Sequence, residues 1–289
     1  MWAAAGRFDK LSRLGQDGVG TTLREEGGTG MTGNTSEKPF SGKVALVTGG
    51  GRGIGRECAL ACAEAGASVA VAATTESEIA AVAEEIRALG GESLAIRADV
   101  TSAEDTGRMA RETAAALGGL DIAVNAAGIG GPRRPFLEND PQTMLDITTV
   151  NVYGVLLSCQ AELREMVQRG GGHIINISSG LAHRGVPHAV CYGSSKWAVE
   201  GITQGIVAEF KDQGVIAHTL GPGRMITRNF PLSELTPDRY HEARPVEAIR
   251  GALLHLLTNP AGHPNGKYLS SVDFDRENGI EWENPLIDA

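Results

Sequence analysis

Short apolar runs alternate with amphipathic segments along the chain from Lys43 to Phe274. Most runs are apolar at consecutive positions and contain β-branched residues, which is typical of strands buried on both faces. Seven runs predict strands: 44–48, 68–73, 93–100, 120–128, 173–179, 215–223 and 266–274. Strands that alternate with helical segments at this spacing predict an α/β fold: a doubly wound, seven-stranded parallel sheet with helices on both faces and right-handed crossovers.

The segments between the runs have apolar residues at helical spacing. They predict helices from the glycine-rich stretch to Gly66 and over 74–91, 102–117, about 141–168 and about 190–212. We expect Thr75 or Ser77 to cap the second of these helices, because a hydroxyl side chain can accept from the free N–H groups at a helix start.

The two ends of the chain depart from this pattern. Residues 1–40 are rich in Gly, Thr and Glu, have no sustained period, and predict a mobile N-terminal extension. Residues 41–274 are expected to form a single domain, and residues 275–289 a C-terminal tail that carries Trp282. The length of 289 residues fits one α/β domain with loose ends.

The charge of the chain disfavours two kinds of partner. A net charge of −9 and a pI of about 5.3 give an acidic chain that repels nucleic acid and anionic membranes. No apolar stretch approaches the ~20 residues that span a bilayer, and the N-terminus lacks the apolar core of a signal peptide. We therefore expect a cytoplasmic protein with no nucleic-acid and no membrane partner.

The cysteines predict free thiols rather than a metal centre. Cys58 and Cys62 stand one helical turn apart, but no second Cys/His pair has metal-binding spacing, so we expect no metal. Cys159 and Cys191 complete the set, and four scattered cysteines are typical of a reducing compartment.

The stretch TGGGRGIG, residues 48–55, places five glycines directly after the first predicted strand. A turn of this kind binds a dinucleotide in a Rossmann-type sheet, because the pyrophosphate meets free N–H groups at the start of the next helix. A Walker A loop is excluded, since Arg56 and Glu57 stand where Lys and Ser or Thr are required. A purely structural glycine turn is the alternative that this stretch alone leaves open.

Tyr192 and Lys196 form a second candidate constellation, four residues apart on one face of a predicted helix. An adjacent ammonium favours the phenolate, so we expect Lys196 to lower the pKa of Tyr192 from about 10 toward working pH. A tyrosine of this kind can exchange a proton with a substrate oxygen. Ser179 ends the fifth predicted strand, at the sheet edge where ligands collect.

Taken together, the motifs resemble those of the short-chain dehydrogenase/reductase family in its single-domain form, and are similar to those of 3-oxoacyl-carrier-protein-reductase-like ketoreductases. The resemblance covers about residues 42–274. It rests on ordered motifs: TGGGRGIG (48–55), DV (99–100), NAAG (125–128), VNVYG around Asn151, ISSG (177–180), YGSSK (192–196) and PGRMIT (222–227).

The resemblance implies a role for each matching residue. Tyr192 would be the general acid/base, and Lys196 would lower its pKa and hold the nicotinamide ribose. Ser179 would donate to the substrate carbonyl, and Asn151 would position a water that relays protons to Lys196. Asp99 would bind the adenine, and the loop after the sixth strand would lie under the nicotinamide carboxamide. The implied cofactor contacts are Thr48, Gly49, Gly51, Arg52, Gly53, Ile54, Gly55, Thr74, Asp99, Val100, Asn125, Ala126, Ala127, Gly128, Tyr192, Lys196, Pro222, Gly223 and Thr227.

The end of the second predicted strand favours NADP over NAD as the cofactor. An NAD-binding sheet of this type carries Asp or Glu there to hold the ribose 2′-hydroxyl, and this chain has Ala73. Thr74 can donate a hydrogen bond, and Arg52 can supply positive charge to a 2′-phosphate.

The resemblance places the substrate between three segments, 128–140, 180–191 and 224–245, of which the third is expected to be a mobile lid. Five basic side chains in the first two segments would meet an anionic or polar substrate, or else lie at the rim: Arg133, Arg134, His183, Arg184 and His188. Relatives are often tetramers, so we expect a homo-oligomer, a tetramer or a dimer. The chain departs from the family after its last strand, where SVDFDRENG replaces the usual Asp-Gly-Gly.

The expected function is an NADP(H)-dependent oxidoreductase that interconverts a ketone and a secondary alcohol, and the composition hints at a ketoreductase of secondary metabolism. One alternative is a relative that uses a bound cofactor for epimerisation or dehydration. Another is a non-catalytic NADP-binding regulatory protein, which would be expected to lack Tyr192 or Lys196.

Overall fold

Seven parallel strands form one sheet in the computed structural model, which describes residues 38–227 and 242–282. The strands are β1 (Val44–Thr48), β2 (Ser68–Ala73), β3 (Ser93–Arg97), β4 (Ile122–Asn125), β5 (Gly172–Ile177), β6 (Val215–Gly221) and β7 (Tyr268–Ser270). Their order is β3-β2-β1-β4-β5-β6-β7, so the direction of winding reverses between β1 and β4. The predicted seven-stranded, doubly wound sheet is confirmed.

Helices cover both faces of this sheet. They are α1 (Gly53–Glu64), α2 (Glu76–Ala88), α3 (Ala103–Leu117), α4 (Pro141–Thr148), α5 (Gly154–Val167), α6 (Val190–Phe210), α7 (Ile249–Thr258) and α8 (Ser271–Glu277). A π-helical turn, Thr149–Tyr153, joins α4 to α5 without a break. Short 3₁₀ turns lie at Phe136–Glu138, Gly180–Ala182, Lys211–Gln213 and Val246–Ala248.

The core has two apolar layers, one on each face of the sheet. Along β1, Ala45 and Val47 face the layer formed with α1, α2 and α7, whereas Leu46 faces the layer formed with α3, α5 and α6. All three are fully buried, and burying a side chain such as Leu46 contributes about 1.5–3 kcal/mol. Residues of one strand thus alternate between two packed interfaces, which is why the run is apolar at every position.

The last five predicted strands all continue past the observed carboxyl ends, and the errors at β3 and β7 change where functional residues lie. β3 ends at Arg97, so Asp99 and Val100 lie in the following loop. β7 ends at Ser270, and residues 271–274, predicted as strand, begin α8 instead. The Ser270 hydroxyl accepts from the Asp273 N–H at 3.2 Å and caps this helix.

The predicted cap of α2 is wrong in part. Thr75 is the N-cap residue, but its side chain makes no capping hydrogen bond to any residue that the structure describes. The start of α3 differs, because the Ser102 hydroxyl accepts from the Asp105 N–H at 3.2 Å. A residue type that favours a cap position therefore does not guarantee the bond.

The observed domain extends beyond its predicted boundaries at both ends. Phe40, placed in the N-terminal extension, is buried against the core. Residues 275–277, placed in the tail, belong to α8, and Trp282 packs on the core of its own chain. Residues 1–37 of the extension, the lid residues 228–241 and residues 283–289 lie outside the described residues.

Two absences hold for the described ranges. None of their helices is long and apolar enough to cross a membrane. They contain no group of three or more His, Cys, Asp or Glu side chains arranged to hold a metal ion. All four cysteines fall within these ranges and carry free thiols, as predicted.

Candidate active site

Every sequence-predicted site residue lies at the carboxyl edge of the sheet or on the elements that cover this edge. They follow the strands in order: residues 48–55 after β1, Thr74 after β2, Asp99 and Val100 after β3, residues 125–128 at the end of β4, Ser179 after β5, and Pro222, Gly223 and Thr227 after β6. Asn151 lies in the π turn, and Tyr192 and Lys196 lie on α6. In a doubly wound sheet, this edge and the point of reversal are where ligands bind.

Two glycines of the turn after β1 are required by the packing of the turn itself. Gly49 has a φ of +63°, and a Cβ on it would lie 2.7 Å from backbone atoms of Ala127. A Cβ on Gly55 would overlap the Gly49 carbonyl. The structural explanation of the glycines is therefore correct for these two positions, and it does not compete with ligand binding.

The start of α1 has the donor set that a pyrophosphate needs. Its N-cap, Arg52, makes no side-chain capping bond within the described ranges, and its first turn contains no acidic residue. The first N–H groups therefore remain available to an anion, which the helix dipole also favours. Gly53 at the start of the helix faces the Thr227 side chain, with 3.5 Å from a would-be Cβ to Thr227 Cγ2. The loop after β6 thus reaches the glycine turn, and the residues present fit a dinucleotide.

Arg52 has a partner that the sequence reasoning missed. Its guanidinium donates to Glu78 Oε1 at 3.2 Å. Glu78 lies in the first turn of α2, directly after the strand end at Ala73, and it also borders Gly51, whose would-be Cβ lies 3.4 Å from Glu78 Oε2. The acidic residues just after β2 were the available signal, and they place a carboxylate beside the glycine turn.

A buried polar network supports the wall of the cleft at β4. Asn125 is linked to Thr48 Oγ1 at 3.3 Å and donates to Glu162 Oε2 and Asn176 Oδ1, each at 3.0 Å. The Ala127 N–H in turn donates to Thr48 Oγ1 at 3.5 Å. These bonds tie β1, β4, β5 and α5 together just below the predicted cofactor contacts.

Ser179, Tyr192 and Lys196 come together above β5. Lys196 is buried, and its ammonium donates to the Ile177 carbonyl at 2.8 Å. The same nitrogen lies 5.7 Å from the centroid of the Tyr192 ring. Ser179 is a hydrogen-bond partner of Tyr192, and its Oγ also accepts from the Leu181 N–H at 3.2 Å.

The predicted shift of the Tyr192 pKa has the wrong direction. Burial raises the pKa of Tyr192 above its ordinary value, and this effect outweighs the lowering by the Ser179 hydrogen bond and by the positive charge of Arg133. The Lys196 ammonium lies over the Tyr192 ring and donates to the Ile177 carbonyl. Burial lowers the pKa of Lys196 itself to about 8, although the nearby Glu200 carboxylate acts to raise it.

Asn151 anchors the segment after β4 to this group. Its Oδ1 accepts from the Ile129 N–H, and its Nδ2 donates to the Ile129 carbonyl, both at 2.9 Å. The Nδ2 group also donates to Ser195 Oγ on α6 at 3.0 Å. Gly128 lies between Asn151 and Lys196, since its would-be Cβ is 3.2 Å from Asn151 Oδ1 and 3.8 Å from Lys196 Nζ. The π turn, a feature frequent at functional sites, sets this position.

Glu200 is a second residue that the sequence reasoning missed. Its buried carboxylate accepts from Ser178 Oγ and, at 2.7 Å, from Thr219 Oγ1. It follows Lys196 by one helical turn, so the spacing on α6 was the available signal. His183 faces this carboxylate at 3.7 Å and stacks on Tyr268 at 4.3 Å between ring centroids.

The other predicted basic residues lie at the surface. These are Arg133, Arg134, Arg184 and His188, all of which are exposed. Arg133 is close enough to Tyr192 to act on its pKa, so it belongs to the mouth of the site.

Comparison with known proteins extends these observations. Residues 43–234 match the sequence model of the short chain dehydrogenase family. A short chain dehydrogenase/reductase of Aspergillus oryzae is 37% identical over 232 residues, covering 80% of this chain and 88% of the relative. A 3-oxoacyl-acyl-carrier-protein reductase of a Synechocystis strain is 33% identical over 252 residues, covering 83% and 98%.

A solved structure shares the architecture. The structure of 7α-hydroxysteroid dehydrogenase in complex with NADH and 7-oxo glycochenodeoxycholic acid is 30% identical, with a TM-score of 0.75. The similarity covers 83% of this chain and 96% of that chain. It therefore includes most of the sheet and the edge that carries the candidate site.

Proposed function

The chain belongs to the short chain dehydrogenase family of oxidoreductases, and from this membership we propose that it interconverts a ketone and a secondary alcohol with NADP(H). The observation that carries the proposal is the convergence of Ser179, Tyr192 and Lys196, which the residues after β4 connect to the glycine turn. A proton donor, a second hydroxyl and a cation then lie together at the carboxyl edge of the sheet.

In this mechanism the bound nicotinamide supplies the hydride, and the protein supplies position and the proton. Ser179 donates a hydrogen bond to the carbonyl oxygen and stabilises the charge that develops there. Tyr192 donates its proton to the same oxygen as general acid. Burial raises the pKa of Tyr192, so the phenol carries the proton that ketone reduction requires.

Lys196 and Asn151 act behind Tyr192. The pKa of about 8 keeps Lys196 largely charged at neutral pH, so that it can hold ribose hydroxyls. A carbonyl oxygen has two lone pairs, so Asn151 Oδ1 can accept from a relay water as well as from Ile129. We retain the water relay as part of the proposal.

NADP rather than NAD is the cofactor that we propose. The absence of a carboxylate at Ala73 and the position of Arg52 beside the glycine turn support this choice. Glu78 opposes it, because its carboxylate pairs with Arg52 and lies where a 2′-phosphate would approach. For Arg52 to bind the 2′-phosphate, its ion pair with Glu78 must open, or the guanidinium must contact the carboxylate and the phosphate together.

We also propose that the chain forms a homo-oligomer, a dimer or a tetramer, through the groove between α5 and α6. This groove has a volume of about 820 Å³ and is lined mainly by apolar side chains, among them Tyr153, Leu156, Leu163 and Ile202. Arg164 and Glu209 give the edge of this groove charges of both signs, and a two-fold contact repeats each of its pairings on both subunits. The predicted cytoplasmic location stays a prediction.

Light scattering on the purified chain tests the oligomer. Leu156→Lys is expected to lower the mass toward that of a monomer, whereas Leu89→Lys, at an exposed leucine elsewhere, is expected to leave it unchanged. A monomeric wild type at micromolar concentration would overturn the proposal.

The enzymatic test is NADPH oxidation with a panel of ketones. Tyr192→Phe is expected to lower kcat by about 10²–10⁴-fold, because it removes the proton donor and keeps the ring. Thr258→Val, which removes an exposed hydroxyl at the end of α7, serves as the control. Equal rates for wild type and Tyr192→Phe would refute the mechanism, and NADPH binding without turnover of any ketone would favour the regulatory alternative.

A further inference from the structure

The loop after β6 rests directly on α8. Gly223 has a φ of +77°, and a Cβ on it would lie 2.5 Å from Val272 Cγ2, so this turn has no room for a side chain. The Pro222 carbonyl accepts from Ser271 Oγ at 2.9 Å and from Arg244 Nη1 at 3.2 Å. Two donors thus fix the peptide that joins Pro222 to Gly223.

Arg244 is the centre of this contact. Its guanidinium forms an ion pair with Asp275 on α8 and donates to Ser271 Oγ at 2.9 Å. The two charged side chains are 12% and 5% exposed, so the pair is nearly closed to solvent. Removing either partner from such a pair leaves an uncompensated buried charge.

Arg244 also joins the two backbone segments that lead into and out of residues 228–241. Its N–H donates to the Arg224 carbonyl at 2.9 Å, and it forms a β-bridge with Met225. Arg224 and Glu242 form an ion pair beside this bridge. The base of the predicted substrate loop is therefore held by the same residue that holds Pro222.

The C-terminal segment completes the arrangement. Trp282 Nε1 donates to Asp275 Oδ2 at 2.6 Å, and Ile280 and Trp282 pack against the core. The indole therefore supports the carboxylate that pairs with Arg244 in the same chain.

We propose that Arg244, Asp275 and Trp282 form a latch that positions the turn at Pro222 and Gly223, together with Thr227, for the nicotinamide half of the cofactor. The proposal rests on the proposed function, and the three are positioning residues rather than catalytic ones. The turn follows β6, whereas the predicted adenine contacts follow β2 and β3, on the far side of β1 and of the glycine turn. The latch should therefore act on one half of the dinucleotide only.

The experiment compares the binding of ligands with and without the nicotinamide half, because the latch should affect that half alone. Calorimetry compares two ligands that differ only in the nicotinamide ring: NADPH against 2′-phospho-ADP-ribose, with NADH against ADP-ribose as a second pair. Arg244→Lys keeps the charge but cannot make the forked contacts to Pro222, Ser271 and Asp275. We expect it to raise the Kd of NADPH about tenfold and to leave that of 2′-phospho-ADP-ribose within about twofold.

Two further variants and one control complete the series. Asp275→Asn is expected to act like Arg244→Lys, and Trp282→Phe, which loses only the indole N–H, is expected to act in the same direction by less. Arg276→Met is the matched control, because Arg276 pairs with Asp273 at 2.5 Å on the exposed side of the same helix. It should leave the binding of both ligands unchanged.

Each remaining outcome counts against the latch. Equal weakening of both ligands by Arg244→Lys would show a general structural role, and an unchanged Kd for both would show no role. If Arg244→Lys fails to fold, the double variant Arg244→Met with Asp275→Leu replaces the buried pair with apolar groups of similar size, and it must show the same selective loss. A wild-type chain that binds none of the four ligands would overturn the proposed function itself.

Discussion

Lys196 and Glu200 show how one helical turn couples charge in the candidate site. Burial lowers the pKa of Lys196 to about 8, and the Glu200 carboxylate opposes that shift. If reduction needs the charged lysine, kcat/KM should fall as the pH rises through about 8. Such a profile reports the ionisation of the free enzyme.

Glu200→Gln is expected to move the alkaline limb of the pH profile, where kcat/KM falls with rising pH, to lower pH. The substitution removes the negative charge that favours the ammonium, so the pKa of Lys196 falls further. Asp212→Asn, an exposed change in the 3₁₀ turn that follows the same helix, is the control and should leave the pH profile in place. An unchanged limb in Glu200→Gln would contradict the coupling.

The ion pair between Arg52 and Glu78 is expected to influence the preference for NADPH over NADH. Glu78→Gln is expected to raise the ratio of kcat/KM for NADPH to that for NADH by about tenfold, because it releases Arg52 and removes a charge that repels a 2′-phosphate. Arg52→Gln should lower the same ratio. The exposed neighbour Glu76→Gln is the control, and a tenfold preference of the wild type for NADH would contradict the NADP assignment.

Helix caps give a prediction at the scale of elements. Ser102→Ala should lower the free energy of unfolding by about 1 kcal/mol, since the hydroxyl accepts from the Asp105 N–H at the start of α3. Thr75→Ala at the start of α2 should cost much less, because no such bond forms there within the described residues. Urea unfolding of both variants measures the difference, and equal losses would contradict it.

The elements also show why sequence reasoning succeeds in some places and fails in others. β1 and β2 have the predicted bounds, because each apolar run ends at a glycine or a polar residue. The run at β7 continues past Ser270, but β6, its neighbour in the sheet, ends at Gly221, which pairs with Ser270. Pro222 then offers no N–H, so the next residues have no ladder to join and form α8 instead.

The same limit applies to the candidate site. Local motifs placed the glycine turn, Ser179 and α6 correctly along the edge of the sheet. They could not reveal the partners of these residues, since Arg52 meets Glu78 across 26 positions and Arg244 meets Asp275 across 31. The π turn inside the predicted helix 141–168 was also missed, because a single extra residue in one turn leaves the apolar period almost unchanged.

At the scale of the whole molecule, two buried groups, His173 on β5 and Glu162 on α5, respond to acid in opposite ways. Burial lowers the pKa of His173 to about 3 from 6.5, and His218 lies 2.9 Å away, ring nitrogen to ring nitrogen. Burial raises the pKa of Glu162 to about 7 from 4.5. The Glu162 Oε1 atom has no hydrogen-bond partner among the described residues, which leaves the carboxylate poorly compensated.

Linkage fixes the sign of each effect. Between pH 6.5 and about 3 the unfolded chain protonates His173 and the folded chain does not, so acid destabilises the fold through this group. Between about pH 7 and 4.5 the folded chain protonates Glu162 and the unfolded chain does not, so acid stabilises the fold through that group. From pH 6.5 to 4.5 the two slopes, each about 1.4 kcal/mol per pH unit, oppose one another.

Glu162→Gln should therefore make the fold more sensitive to acid. With the compensating group gone, the free energy of unfolding should fall more steeply than in the wild type, by about 1.4 kcal/mol for each pH unit from 6.5 to 4.5. His173→Gln should change the slope in the opposite direction. His218 and His255, whose pKa values burial also lowers, act alike in wild type and Glu162→Gln and cancel from that comparison. Urea unfolding at fixed protein concentration measures these slopes, and identical slopes in wild type and Glu162→Gln would mean that Glu162 is ionised alike in the folded and unfolded chain.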